Sequence, residues 1–254
     1  MDIVYESPFG DVWPLAAGHR GVFIKENSLD DLCGDSEDVS TSPTGAPGQQ
    51  FDGLNVKAMT GTLGCWVKEW EGDSLDEVSA NFRSSWSRTQ PGTLRAVSHT
   101  LGGVFTQVRL AKSMPPLPID LREVDGYDLQ FSVIADSGVW WMNPLTGVGT
   151  VTVTNPGDVP VYPRIRWKGT GGKVTLPSGA SFTLPAAQES RIVSLDNADS
   201  CAVVDEKGVL DRALWRTLHP TVMPEGIPVG QSRTYALPDG AELLWNIGVF
   251  DPWK

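Results

Sequence analysis

Apolar and polar residues alternate in short runs along most of this chain, and the runs end at glycine, proline, asparagine or aspartate. Such alternation predicts strands at residues 3–5 and 22–24, and over 54–67 with breaks at Gly61 and Gly64. At 104–110, Val104, Thr106, Val108 and Leu110 share one face, and Phe105, Gln107 and Arg109 the other. Asp125-Gly126 reads as a hairpin turn between residues 121–124 and 127–135, with Tyr127, Leu129, Phe131 and Val133 on one face of the second strand. Met114-Pro115-Pro116-Leu117-Pro118 cannot join a central sheet and predicts an extended crossing or edge.

The 3.6-residue period stands out once. Ser74-Leu75-Asp76-Glu77 has the form of a capping box, and Leu75, Val78, Phe82 and Trp86 follow on one face. This predicts a helix over about 74–87, ended by Gln90-Pro91-Gly92. A boundary is expected between 137 and 145, dividing the chain into 1–140 and 141–254. Beyond it, strands of similar length recur at 150–154, 164–167, 174–176, 181–184, 191–195, 202–204, 232–237 and 242–247. Turns such as Asn155-Pro156-Gly157-Asp158 and Pro177-Ser178-Gly179 separate them, a texture that predicts a β-sandwich. A short helix fits at 210–215.

Residues 26–50 break the pattern. They carry Asp30, Asp31, Asp35, Glu37 and Asp38, then a Ser/Thr/Pro/Gly-rich run at 40–48, with almost no apolar periodicity. The stretch reads as an acidic loop or arm outside the core, either free in solvent or ordered on a neighbouring chain. On that reading, removing residues 30–47 leaves folding nearly intact.

Composition sharpens this picture. The 254 residues are 40% hydrophobic, enough for a proper core, and the net charge of −11 disfavours binding to a phosphate backbone. Ten tryptophans fit either a sandwich core or protein interfaces. Cys33, Cys65 and Cys201 are too sparse for a disulfide framework or a zinc site and fit a reducing compartment. The first residues lack the pattern of a signal peptide, and no apolar run approaches membrane-spanning length, so no membrane insertion is expected.

The chain offers little chemistry. His19, His99 and His219 stand alone, and there is no Gly-x-Ser-x-Gly elbow, phosphate loop or HExxH motif. Gly169-Thr170-Gly171-Gly172 joins strand to strand and reads as a turn. The acidic neighbours Asp30–Asp31 and Glu123–Asp125 lack a nucleophile or orienting base. No enzyme, cofactor or metal site is expected. A sugar-stacking role would fall to Trp140 and Trp141, but adjacent strand residues face opposite ways, so at least one belongs to a core.

The order of these features resembles the siphophage distal tail protein (Dit) family, particularly minor tail proteins of actinobacterial phages. The resemblance covers essentially the whole chain. It rests on a helix-bearing β half, then Val151-Thr152-Val153-Thr154, Asn155-Pro156-Gly157-Asp158 and Tyr162-Pro163-Arg164-Ile165, and a close through Ile227-Pro228-Val229-Gly230 to Trp245. It implies a mainly β fold, with an N-terminal split-barrel-like domain carrying one helix and a C-terminal galectin-like β-sandwich. It implies a virion structural protein, assembled in the host cytoplasm, that forms a hexameric ring at the phage tail tip. Its partners would be copies of itself, the tail tube protein and the tail-tip or baseplate hub protein. An arm from one subunit would embrace the next, which makes residues 26–50 the candidate arm and Asp30, Asp31, Asp35, Glu37, Asp38 and Phe51 the candidate interface residues. The galectin sugar motif His-x-Asn-x-Arg is missing, and Trp66-Val67-Lys68-Glu69 matches only its second part, in the wrong domain. A carbohydrate-binding sandwich used in host adsorption is the alternative. An acidic wall would also let DNA slide through a ring without sticking.

Overall fold

The computed structural model describes residues 2–42, 44–45, 47–98, 100–117 and 120–253. His99 and Pro118, both singled out above, lie outside them. The fold is mainly β, as the alternation predicts. Contacts divide the chain into two compact units: Met1–Met142 with Val249–Lys254, and Asn143–Gly248.

The first unit contains β1 (Asp2–Glu6), β2 (Val12–Pro14), β3 (Val22–Ile24), β4 (Ser36–Thr41), β5 (Gln50–Val56) and β6 (Met59–Lys68). Helix α1 (Leu75–Ser84) follows, then β7 (Gly92–Ser98), β8 (Gly102–Leu110), β9 (Gly126–Ala135) and β10 (Trp140–Met142). The main sheet runs β2-β1-β7-β8-β9-β6-β3. Its two ends meet where the Ile24 N–H donates to the Leu15 carbonyl at 3.0 Å, so the sheet is nearly closed. Alternate residues point inward, and α1 joins them. Tyr5 stacks on Trp86 with ring centroids 3.7 Å apart and donates its hydroxyl proton to the Ser85 carbonyl. Trp86 and Phe82 meet Phe131 edge-on. The capping box forms: Ser74 Oγ accepts from the Glu77 N–H, and the Glu77 carboxylate accepts from the Ser74 N–H. The helix ends earlier than its apolar stripe suggests, yet Trp86 is still buried beyond its last turn.

Two expectations for this unit need correction. Residues 121–124 are no strand: Leu121–Glu123 form a 3-10 turn. The Asp120 carboxylate caps it, accepting from the Arg122 N–H and pairing with the Arg122 guanidinium, and such local bonds compete with strand pairing. β9 instead pairs with β6 along its whole length and briefly with β8. Residues 26–50 do not lie wholly outside the core. Ser28, Leu29 and Leu32 are buried, and the Leu32 carbonyl accepts from the indole of fully buried Trp140 at 2.7 Å. Three apolar or small residues in one turn are too few to produce a period.

The second unit contains β11 (Leu145–Val148), β12 (Thr150–Thr154), β13 (Arg164–Gly169), β14 (Gly172–Thr175), β15 (Ser181–Leu184), β16 (Ala187–Ser194) and β17 (Val203–Val204). Helix α2 (Arg212–Leu218), β18 (Ser232–Ala236) and β19 (Ala241–Trp245) complete it, and β20 (Gly248–Val249) belongs to the sheet of the first unit. Two antiparallel sheets form, β11-β19-β13-β16-β17 and β12-β18-β14-β15. Each buries alternate side chains, among them Ile165, Trp167 and Leu243 in one and Val153, Phe182 and Tyr235 in the other. Helix α2 starts later than residue 210 because Asp211 caps it, accepting from the Leu214 N–H while its other oxygen holds Arg191. The last residues, assigned to the sandwich on sequence, sit with the first unit. β20 pairs with β10, and the Gly34 N–H donates to the Phe250 carbonyl at 2.8 Å.

Candidate assembly surface

β4 and β5 form a separate two-stranded ribbon within the first unit. Its base is tied down: the Lys57 N–H donates to the Asp35 carbonyl at 3.0 Å, and Lys57 pairs with Glu37. That bond with Glu37 holds the Lys57 ammonium above its ordinary pKa. Gly138 packs against the same place with φ +69, where a Cβ would stand 2.1 Å from the Lys57 carbonyl oxygen. Only glycine lets the chain pass there.

The ribbon's register sets its two faces. Ser36 lies opposite Val56, Asp38 opposite Leu54 and Ser40 opposite Phe51. The shift between Val39 and Ser40 leaves Asp52 as an extra residue in β5, so Phe51 and Leu54, three apart, come to one side. That side carries Phe51 at 60% exposure, Leu54 at 50%, half-buried Val56 and the exposed Asp38. Glu37, Val39 and Thr41 take the other side, where Thr41 bonds to Asp52. A two-stranded ribbon alone in water is marginal, and large apolar side chains on it ask for a covering surface.

The structure separates the six candidate interface residues. Asp30 and Asp31 are exposed on the turn beside Leu29 and Leu32, before the ribbon starts. Asp35 sits at the ribbon's base and accepts from the Ser36 N–H. Glu37 is occupied by Lys57. Asp38 and Phe51 alone come together on the apolar face. Sequence reasoning missed Leu54 and Val56 because both fell in a segment whose alternation predicts a half-buried strand.

Other candidates disperse. Trp140 belongs to the core, while Trp141 is half-buried on the opposite side of β10. His19 meets Trp70 edge-on, and His219 stacks on Trp215. Glu123 and Asp125 line a shallow cleft of about 390 Å³ with Glu69, Asp76 and Arg122. Among the described residues, no group of three or more His, Cys, Asp or Glu side chains is arranged to hold a metal. Burial lifts the Cys65 thiol to about 12, far from a reactive thiolate.

No protein-family model matches the chain, and no curated protein does. Solved structures do. The SPP1 Dit protein, described as a paradigm of the hub adsorption apparatus in Gram-positive infecting phages, matches with a TM-score of 0.61 at 10% identity, over 97% of this chain and 98% of its own. A chain of the phage P2 baseplate in its activated conformation with Ca matches with a TM-score of 0.55 at 12% identity, over 97% of both chains. The Sr form of that baseplate gives the same score and identity over 96% and 97%. At such identity the likeness is one of fold, and it runs end to end through both units: the chain has the fold of the phage distal tail (Dit) proteins.

Proposed function

We propose that this protein is a non-catalytic structural component of a phage tail tip. Its first unit forms a six-membered ring that joins the tail tube to the tail-tip hub, and its second unit is a galectin-like sandwich. The reading rests on one observation: a Dit fold from which an ordered ribbon extends with Phe51 and Leu54 uncovered. A closed ring uses heterologous contacts, in which one surface meets a different one on the next subunit. A ribbon provides such a contact with large area from few residues. The full-length match to a hub adsorption protein and to baseplate chains supports the same place in the virion.

Electron microscopy of the purified protein, with light scattering on the same sample, tests this. Six-fold rings with six times the mass of the 27.5 kDa chain are expected. A protein that stays monomeric and binds glycans on an array would instead support a carbohydrate-binding module of host adsorption.

A further inference from the structure

Strand β12 leaves an open edge in the second unit. It ends its sheet, bonded only to β18, and with five residues it is the longest of the four edge strands there; β11 and β15 have four and β17 has two. The Leu237 N–H donates to the Gly149 carbonyl and the Asn155 N–H to the Gln231 carbonyl, both at 2.9 Å. Bonded pairs alternate along an antiparallel ladder, so Val151 and Val153 also turn their backbone groups to β18. The N–H and carbonyl groups of Thr150, Thr152 and Thr154 therefore point the other way. Among the described residues these groups have no backbone partner. The devices that blunt a free edge are missing, because β12 carries no charge, no proline and no bulge.

We propose that β12 pairs antiparallel with β12 of a second copy, across a two-fold axis at Thr152. The occupant is another copy because the strand is its own complement: Thr150-Val151-Thr152-Val153-Thr154 reads the same in both directions. Turned about Thr152, it sets Thr152 against Thr152 and Thr150 against Thr154. These are the residues whose backbone groups face outward, so all three kinds of contact are hydrogen-bonded pairs, about six bonds in all. Val151 then meets Val153 on the buried side of the sheet. The threonines meet on the exposed side, extending the hydroxyl contacts that Thr152 makes with Thr234 at 2.9 Å and Thr154 with Ser232 at 2.8 Å. A register shifted by one residue would set valine against threonine and lose both matches. The contact is isologous, unlike the heterologous contacts of a ring, and so goes beyond the ring reading. It joins two assemblies and doubles their mass as concentration rises.

The test uses full-length chains carrying Cys33→Ser, which removes the exposed thiol. Residues of a hydrogen-bonded pair stand about 5.5 Å apart at Cα, within disulfide range. Thr152→Cys should therefore give disulfide-linked pairs of chains under mild oxidation. Thr150→Cys and Thr154→Cys should not do so alone, because each lies about 14 Å along the strand from its own counterpart. Mixed one to one before oxidation, those two should link to each other. No linked pairs from Thr152→Cys, or equal linking by all three variants alone, overturns the pairing. Thr152→Lys sets two like charges opposite each other and should weaken the doubling of mass, read by light scattering over a dilution series, by about tenfold or more. Doubling that is unaltered in this variant also overturns the pairing. Circular dichroism and melting of each variant confirm folding. Chains that link through Thr152→Cys yet form no six-fold rings take down the ring reading and leave the pairing standing.

Discussion

Asn155 is fully buried and fully engaged. Its amide N–H groups donate to the Val159 carbonyl at 2.9 Å and the Ile227 carbonyl at 3.0 Å, and its side-chain oxygen accepts from the Gly157 N–H. One side chain thus closes its own turn and ties it to a segment 72 residues away. Asn155→Ala strands those backbone groups without partners and should cost about 2–3 kcal/mol, read from a denaturant melt of the full chain. Asn155→Asp should cost a similar amount, because a carboxylate cannot donate to the two carbonyls. A loss under about 0.5 kcal/mol in both would show that water takes over these bonds.

At the scale of elements, the ribbon and the turn before it have opposite roles. Joining Glu37 to Asn55, which lie opposite each other, through a two-residue Asn-Gly turn removes residues 38–54 and no core side chain. Stability should change by no more than about 0.5 kcal/mol, while the ring is lost. Leu32→Ala should do the reverse, costing about 2–5 kcal/mol with the ribbon intact, because it empties a fully buried site. Cutting residues 30–47 as one piece, which the sequence alone suggests is harmless, takes Leu32 as well and should unfold part of the first unit. Paired melts and mass measurements on the two variants separate the roles. Equal effects of both on stability would rule out the division.

Across the whole molecule, carboxylates are held down by the fold. Glu77 bonds the Ser74 N–H, Asp120 bonds Arg122, Asp136 bonds Arg109, and Glu242 bonds Arg166, and each is pulled below its ordinary pKa. The Val209 and Leu214 N–H groups do the same for Asp205 and Asp211. With folded values below the unfolded ones, the unfolded chain binds more protons in this range. The stabilisation is complete well above 4.5, the ordinary glutamate value, and is lost as pH falls through the lower folded values. The melting temperature should therefore hold from about pH 7 to pH 5 and drop toward pH 3. Arg166→Met, which frees Glu242, should flatten part of that drop, and an unchanged profile would leave this pair without a share in it.

What was readable in the sequence was local. Alternation placed most strands, Ser74 and Glu77 announced α1, and Asn155-Pro156-Gly157 announced its turn, because each signal lies within a few residues of its effect. Asp38, within the candidate arm, and Phe51, just past its end, were readable only as candidate interface residues. Tertiary structure decided which strands are neighbours, and with that everything depending on register. It put Leu32 under Trp140, turned residues 121–123 away from the sheet, and brought the closing residues back to β10. It also aligned Pro14, Val4, Arg95, Phe105 and Trp141 from five separate strands into one row. No spacing along the chain encodes that row, because its members are neighbours only through hydrogen bonds between strands distant in sequence.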